Sequence, residues 1–232
     1  MKVGLHPLTW FLRRALLYFH QQGFDIVEGR DIEIEEYNFN ALNVPADHPS
    51  RDIQDTFWLK NGKLLRTHTT ASDIRIVKER HLSPPFRLII PGRCYRNEAT
   101  DPNHEHTFYQ MDGIAVEKNL TMGHLIGLLN NFIKEIFGNK AKTRIRPHYY
   151  PFVEPGLDMD LWTGKRWEEM LGAGMAHPVV LKNLGITPEE AEKNQWQGIM
   201  FGLGIDRYMM RYFGIDDIRL SYSGDLRFLK QF

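Results

Sequence analysis

Residues 91–113 constrain this chain most, because they have the pattern of two strands joined by a polar loop. They read PGRCYRNEATDPNHEHTFYQMDG. Side chains alternate between the two faces of a strand, so we expect Arg96 and Glu98 to point one way, and Gln110 and Asp112 to share a face. One face of the hairpin then carries a cation, two acids and an amide. A solvated hairpin face is the alternative explanation of these charges.

Apolar periodicity predicts the remaining elements. Apolar residues recur at helical spacing from Leu8 to Phe19, between Pro7 and Gly23, which predicts a core-packing helix. Further helices are expected over residues 71–80, 120–137 (capped by Thr121), 179–184 and 205–213. Strands are expected over residues 56–59, 86–90, 143–153, 158–162, 167–171 and 199–201, and residues 32–55 are expected to form an irregular connection. Strands in succession, with helices between groups of them, favour an α+β domain with a mostly antiparallel sheet.

Composition excludes several classes of protein. The 232 residues, 42% hydrophobic and with 12 prolines, indicate a globular enzyme rather than a disordered or fibrous chain. A formal charge of zero argues against a basic nucleic-acid clamp. No apolar run approaches the roughly 20 residues of a membrane span, and the first residues lack the pattern of a signal peptide. The single cysteine, Cys94, suits a reducing compartment, so we expect a cytoplasmic protein without a membrane partner.

A second arginine, Arg207, lies in the segment GLGIDR at residues 202–207. Arginine forks suit phosphate and carboxylate groups, and two of them suggest a site for a nucleotide polyphosphate. The segment is not a dinucleotide fingerprint, because Arg207 stands where a third glycine is needed. Gly202 and Gly204 fit either close backbone approach to a ligand or tight packing of a strand on a helix.

Patterns of metal ligands are weak in this sequence. The segment HEH at residues 104–106 is too short for a helical zinc site, and one cysteine excludes a multi-thiolate site within this chain. We interpret His104 as a loop residue that meets a phosphate. Glu154 and Glu169 precede glycine-containing turns, and two carboxylates near a polyphosphate can hold Mg²⁺. Solvated carboxylates are the alternative.

Nine blocks of the sequence carry a resemblance to a known family. In chain order they are HPLTWFLRR, NFNALNVPADHPSRDIQDTFWL, LLRTHTTA, PGRCYRNEATDPNH, FYQMDG, YYPFVEP, LGAGMAHP, FGLGIDR and GDLRFLKQF. These blocks resemble the catalytic domain of phenylalanyl-tRNA synthetase alpha subunits, which are class II aminoacyl-tRNA synthetases. The resemblance covers residues 1–232, without the family's N-terminal coiled coil. It implies an antiparallel sheet flanked by helices.

The resemblance also implies a reaction and the residues that perform it. The carboxylate of phenylalanine attacks the α-phosphate of ATP, and phenylalanine is then transferred to the terminal ribose of tRNA. Catalytic roles are implied for Arg96, between the α-phosphate and the carboxylate, and for Arg207, at the γ-phosphate. ATP contacts are implied for Glu98 near the adenine amino group, Phe108 against the adenine ring and His104 near the polyphosphate. Cations placed in advance stabilise the charge that builds on phosphorus, without a protein nucleophile.

Amino-acid binding, metal binding and partners follow from the same resemblance. Residues expected around the head group of the amino acid are Trp58, His68, Thr70, Gln110 and Asp112. Residues expected around its ring are Tyr150, Phe152, Val153, Ala173 and Met200. Glu154 and Glu169 are implied contacts of magnesium or of the nucleotide, with Glu169 also an ATP contact. The implied partners are tRNA and a beta subunit in an (αβ)₂ heterotetramer.

Six positions depart from the family pattern, and one of them is Arg30, which stands at the usual proline of the dimer-interface motif. Thr70, Asp73 and Asp112 stand where members usually carry Ser, Gln and Glu, Tyr150 replaces Phe, and Met200 replaces a small Ala. A methionine would shorten the ring pocket, and a tyrosine hydroxyl needs a partner. Two alternatives therefore stand beside the alpha-subunit interpretation. One is a free-standing paralogue that adenylates another amino acid for a non-tRNA acceptor. The other is a non-catalytic binding module, against which the retained arginines argue.

Overall fold

A twisted sheet forms the centre of the protein. The structure, a computed structural model, describes residues 4–52 and 55–232. Its strands are β1 (Asp25–Ile26), β2 (Ile32–Glu33), β3 (Leu64–Leu65), β4 (Phe86–Tyr95), β5 (Thr107–Lys118), β6 (Thr143–Pro147), β7 (Val153–Trp162), β8 (Trp167–Ala176) and β9 (Trp196–Gly204). Over the described ranges, seven of them pair in the order β1, β4, β5, β9, β8, β7, β6, and β2 pairs with β3. Strand β1 runs parallel to β4 and the other neighbouring strands are antiparallel. The predicted α+β class with a mostly antiparallel sheet is therefore confirmed.

Helices flank this sheet. They are α1 (Pro7–Gln21), α2 (Glu35–Asn38), α3 (Ala71–Glu79), α4 (Met122–Phe137), α5 (Pro178–Asn183), α6 (Pro188–Asn194), α7 (Ile205–Phe213), α8 (Ile218–Tyr222) and α9 (Leu226–Leu229), with 3₁₀ turns at Asn40–Leu42 and Pro49–Arg51. The Thr121 side chain caps α4 as expected. Within residues 4–52 and 55–232, no helix combines the length and the apolar character that crossing a membrane requires.

Each face of the sheet carries its own apolar core. Helices α1, α4 and α7 pack on one face, in a cluster that includes Phe19, Phe132 and Phe201. Helices α3 and α5 pack over the other face, where Ile114 and Met200 are buried. Neighbouring residues of a strand point to opposite faces, so Phe201 and Met200 belong to different cores. The candidate site lies on the Met200 face.

Several predicted boundaries need correction. The strand expected over residues 143–153 is interrupted after Pro147, and β7 begins only at Val153, because prolines 147 and 151 lack the N–H that continued pairing requires. Residues 56–59 contribute one isolated bridge, between Trp58 and Leu64, instead of a strand. The irregular connection over residues 32–55 contains short helical and extended pieces, as expected, although residues 53 and 54 lie outside the described ranges.

The buried Arg66 side chain connects β4, α3 and the segment that contains Asp31. Its side chain is 2% exposed, and it donates hydrogen bonds to the Arg93 carbonyl at 2.7 Å and to the Ser72 hydroxyl at 3.2 Å. It also pairs with Asp31 at 3.2 Å. A Cβ at Gly92 would overlap the Arg66 guanidinium, so any other residue at this position of β4 would force the buried Arg66 side chain to move.

Candidate active site

One large cavity, of about 1010 Å³, opens above β5, β8 and β9. The start of α7 and the loops at residues 96–106 and 148–152 complete its walls. Thirteen of the residues expected at the site line this cavity: His68, Thr70, Arg96, Glu98, His104, Phe108, Gln110, Asp112, Tyr150, Phe152, Glu169, Met200 and Arg207. The structure thus brings both arginines, the aromatic ring and the acids of the hairpin together.

Arg96 enters the cavity from the loop after β4. Strand β4 ends at Tyr95, so the expectation that Arg96 and Glu98 share a strand face was wrong, although both still reach the cavity. The Arg96 guanidinium lies 4.8 Å from the centre of the Phe108 ring, and its Nη1 lies 3.7 Å from Glu98. Its Nε donates to the Thr67 carbonyl at 3.4 Å. These contacts aim the cation while leaving donors for an anionic ligand.

Arg207 enters from the first turn of α7. Its Nη1 donates to the Glu169 carbonyl oxygen at 2.6 Å and lies 3.8 Å from the Glu169 carboxylate. A cation beside the positive end of a helix dipole is unfavourable unless a nearby negative charge compensates it. The Glu169 carboxylate provides that negative charge, and half of the Arg207 side chain remains exposed. Arg207 is therefore placed to meet a negatively charged group of a ligand.

Two buried acids, Asp73 and Asp112, also line this cavity. Asp112 is 3% exposed and accepts a short hydrogen bond from the Thr70 hydroxyl. Burial raises the pKa of Asp112 to about 6. Asp73 is fully buried, and both of its oxygens lack a partner among the described residues. Burial, followed by the negative charge of Asp112, raises the pKa of Asp73 well above its usual value.

His68 stays neutral beside these acids. Burial, with the charge of Arg96 adding to it, lowers the pKa of His68 to about 3. A neutral imidazole offers one donor and one acceptor, and within the described ranges its Nδ1 has no hydrogen-bond partner. His68 is thus available to a polar group of a ligand but not as a charge.

Aromatic side chains form the apolar end of the cavity. The rings of Tyr150 and Phe152 stack with centres 5.6 Å apart, and Met200, 2% exposed, lies at this end beside the buried core. The Tyr150 hydroxyl donates to Asp158 at 2.8 Å. Asp158 is thus the hydrogen-bond partner that a tyrosine at this position needs. A Cβ at Gly172 would lie 2.5 Å from that hydroxyl oxygen, so glycine makes room for the tyrosine.

Four of the expected residues lie elsewhere. Ala173 packs on the opposite face of the sheet, in the core that contains its strand neighbour Phe201. Val153 is buried in the same core as Met200 but does not line this cavity. The Trp58 indole donates to the Arg51 carbonyl at 3.1 Å, outside the cavity.

Glu154 is the fourth residue, and its position separates the proposed metal pair. Its side chain is 76% exposed and lies 3.5 Å from His177, beside a second cavity of about 420 Å³. Glu169 lines the large cavity instead, so the two glutamates do not share a site. In the part of the chain that the structure describes, no three His, Cys, Asp or Glu residues form a metal cluster.

Sequence reasoning missed Asp206, which also lines the cavity. This acid accepts hydrogen bonds from the Tyr109 backbone N–H at 2.5 Å and from the Tyr222 hydroxyl at 2.7 Å. Burial raises its pKa to about 6. Its place directly before Arg207 in GLGIDR was the available signal, since a charged residue at a strand–helix junction is costly to bury without partners.

Comparison with known proteins agrees with this geometry. Residues 1–232 match the family model described as tRNA synthetases class II core domain (F). A relative named phenylalanine–tRNA ligase alpha subunit, from Acetivibrio thermocellus, is 45% identical over 239 residues, covering 98% of this chain and 68% of the relative. The protein of that name from Caldanaerobacter subterraneus subsp. tengcongensis is 44% identical over 241 residues, with the same coverage.

A solved structure shares the fold. The crystal structure of pyrrolysyl-tRNA synthetase from Desulfitobacterium hafniense superposes with a TM-score of 0.71 over 96% of this chain and 75% of that chain. Its sequence is 18% identical, so this likeness concerns the fold alone.

Proposed function

Because the chain belongs to the class II tRNA synthetase core family and to its phenylalanine–tRNA ligase alpha subunits, we propose that it activates phenylalanine with ATP and transfers it to tRNA. The observation that carries this proposal is the layout of the large cavity. Arg96 and Arg207 both line it, together with the stacked rings of Tyr150 and Phe152 and the side chain of Met200. Such a cavity suits a polyphosphate and an aromatic amino acid together.

Activation joins a carboxylate oxygen of phenylalanine to the α-phosphorus of ATP. The bond from that phosphorus to the bridging oxygen of the β-phosphate breaks, and pyrophosphate leaves. In the second step a terminal ribose hydroxyl of tRNA attacks the carbonyl carbon, and AMP leaves. In this arrangement Arg96 lies between the carboxylate of phenylalanine and the α-phosphate, and Arg207 pairs with the γ-phosphate. Fixed cations of this kind stabilise the transition state without reorganisation.

The other cavity residues hold the two substrates. Phe108 supports the adenine ring, with Glu98 at its amino group and His104 near the phosphates. The amino group of phenylalanine meets Asp112, whose ionised form attracts an ammonium. Neutral His68, together with Gln110, offers hydrogen bonds to the head group.

Magnesium fits this site through one carboxylate. Mg²⁺ is usually bound by one or two carboxylates, phosphate oxygens and waters. The Glu169 carboxylate lies 3.8 Å from both Arg146 and Arg207, which leaves its oxygens able to accept a ligand. We therefore assign the metal contact to Glu169 and not to Glu154. An ion held by Glu169 would supply positive charge to the phosphate oxygens, and Arg207 would hold the phosphate chain in line.

We further propose a beta subunit as partner, in an (αβ)₂ heterotetramer, with tRNA as the acceptor and the cytoplasm as the location. The support is the membership of the alpha-subunit family, since the name alpha subunit implies a second kind of subunit and the name tRNA ligase implies tRNA as the acceptor.

A second candidate function has one observation in its favour. The buried, unpartnered carboxyl of Asp73 lies among the residues described near Asp112, which gives the head-group end one carboxyl more than the family pattern. Such an end would suit a different amino acid, activated for a non-tRNA acceptor.

A panel of amino acids in ATP–pyrophosphate exchange, with and without a candidate beta chain, tests these proposals. Exchange with phenylalanine, and charging of tRNA when the beta chain is present, is expected. Exchange with another amino acid alone would favour the second candidate. Purified, folded protein that supports no exchange in either setting would contradict both.

A further inference from the structure

A buried carboxylate outside the cavity, Asp158 on β7, joins the two ends of the site. Asp158 is 1% exposed. Its Oδ1 accepts from the Tyr150 hydroxyl at 2.8 Å, and its Oδ2 accepts from Arg146 Nη2 at 3.1 Å. The His148 Nδ1 also lies 3.1 Å from Oδ2. Three side chains from one loop and the neighbouring strand thus converge on one carboxylate.

On one side, Asp158 determines where a wall of the apolar end stands. Tyr150 stacks on Phe152 and fills the space above Gly172. Burial raises the pKa of the Tyr150 phenol, so the hydroxyl stays protonated and donates. A buried hydroxyl without an acceptor would cost its full desolvation, and Asp158 is the acceptor that holds the ring here.

Through Arg146, Asp158 is also connected to the nucleotide end of the site. Arg146 donates to Asp160 at 2.9 and 3.0 Å, and it lies 3.8 Å from Glu169. The Glu169 carboxylate in turn lies 3.8 Å from the Arg207 Nη1, and the Glu169 carbonyl oxygen accepts a hydrogen bond from the same Nη1 at 2.6 Å. A chain of ion pairs therefore runs from Asp158 through Arg146 and Glu169 to Arg207.

We propose that Asp158 is a positioning residue that orients both Tyr150 at the amino-acid end and, through Arg146 and Glu169, Arg207 at the nucleotide end. The assignment of the two ends to the two substrates rests on the proposed function. Asp158 touches neither substrate. One of its oxygens binds Tyr150 at the amino-acid end, and the other binds Arg146, which leads to the nucleotide end. The positions of Tyr150 and Arg207 are therefore coupled through Asp158.

Asp160 provides a matched control. It lies two residues along β7 on the same face, it is also 1% exposed, and it also binds Arg146. Its other arginine partner is Arg144, at 2.7 Å, and Tyr150 is not among its bonds within the described contacts. An effect of lost negative charge near Arg146 therefore appears in both variants, whereas an effect on Tyr150 appears with Asp158 alone.

The test compares KM values for the amino acid and for ATP in pyrophosphate exchange. In Asp158→Asn one of the two acceptor oxygens becomes an NH2 donor and the negative charge is lost, so the contact at one end is broken and the contact at the other is weakened. We expect both KM values to rise about three- to tenfold, the effect of roughly one hydrogen bond lost or weakened at each end. Tyr150→Phe should raise only the KM for the amino acid, and Asp160→Asn only the KM for ATP. Unchanged KM values in folded Asp158→Asn, or equal rises of both KM values in Asp160→Asn, would overturn the proposal.

A double-mutant cycle keeps the test decisive if Asp158→Asn does not fold. Tyr150→Phe and Arg146→Met change residues that meet through Asp158, so their effects on the KM for the amino acid should be non-additive. Additive effects in the folded double variant would contradict the coupling. The experiment uses whichever amino acid of the panel the wild-type protein activates best. Loss of the preference for phenylalanine would then count against the proposed function, and additivity would count against Asp158.

Discussion

The Arg96 guanidinium lies 4.8 Å from the centre of the Phe108 ring. This contact joins the cation assigned to the α-phosphate to the ring assigned to adenine. A cation over an aromatic face gains about 0.5–2 kcal/mol, which restricts the otherwise mobile arginine to one side of the cavity. The nearby Glu98 carboxylate, at 3.7 Å, adds a second restraint.

We expect Arg96→Ala and Arg207→Ala each to lower phenylalanine-dependent pyrophosphate exchange by about 10²–10³-fold. The reason is loss of a charge-assisted contact that is used in the transition state, worth about 2–4 kcal/mol. Arg93→Ala is the control, because Arg93 is an exposed arginine on the same strand end that binds the Tyr109 hydroxyl at 2.8 Å. Near-normal exchange in either cavity variant, with circular dichroism unchanged, would remove that arginine from the mechanism.

The raised pKa of Asp112 predicts an acid limb in the activity. Burial moves this pKa to about 6, and the protonated acid no longer attracts the substrate ammonium. The kcat/KM for phenylalanine should therefore fall as the pH drops through about 6, while the KM for ATP changes little.

Asp206 has a similar pKa, also raised to about 6 by burial, so a variant must separate the two acids. The residual activity of Asp112→Asn should lose the acid limb. Its persistence there would assign the limb to Asp206 instead.

Asp73→Asn should stabilise the protein above neutral pH. The folded pKa of Asp73 is raised, so the folded state binds more protons than the unfolded state above the unfolded pKa of roughly 4, and stability falls as pH rises. An amide carries no such penalty, and we expect a gain on the order of 1–3 kcal/mol at pH 8. Urea unfolding at pH 4 and pH 8 measures it. The gain should vanish at pH 4, and an equal difference at both values would show that ionisation of Asp73 is not the cause.

Met200→Ala should open the ring pocket. Met200 lies at the apolar end with 2% of its surface exposed, and overpacking by a larger ligand costs about 1–3 kcal/mol. The variant should accept para-chlorophenylalanine in pyrophosphate exchange and lose about 2–5 kcal/mol of stability. Met111→Ala, which empties the core on the other face of the sheet, should lose stability without the change in preference. If Met200→Ala rejects para-chlorophenylalanine as Met111→Ala does, Met200 lies outside the amino-acid pocket.

Strand alternation explains which parts of the site could be predicted from the sequence. Phe108, Gln110 and Asp112 lie at every second position of β5 and reach one cavity, as a period of two requires. The direction of the strand side chains could therefore be predicted from their spacing. The direction of the Arg96 side chain could not, because Arg96 lies in the loop after β4, where tertiary contacts determine the backbone conformation.

Strand β7 shows why other predictions failed. Its pairing with β8 shifts register between Val153 and Gly156, and again between Met159 and Asp160. The extra residue lies on β7 in the first shift and on β8 in the second. Each shift changes which side chains of that strand face the cavity, and nothing in the local sequence marks it. Glu154 lies inside the first shift and points to solvent. Asp73 was noted as a departure, yet its burial beside Asp112 depends on how α3 packs against the sheet.

The packing of Arg66 against Gly92 has an evolutionary consequence. Burial raises the pKa of Asp112, and the positive charge of Arg66 is among the influences that oppose this rise. A side chain at position 92 would displace the Arg66 guanidinium from its contacts with Arg93, Ser72 and Asp31. Arg66 would then oppose the rise in the pKa of Asp112 less well. Substitutions at positions 66 and 92 should therefore be coupled during evolution.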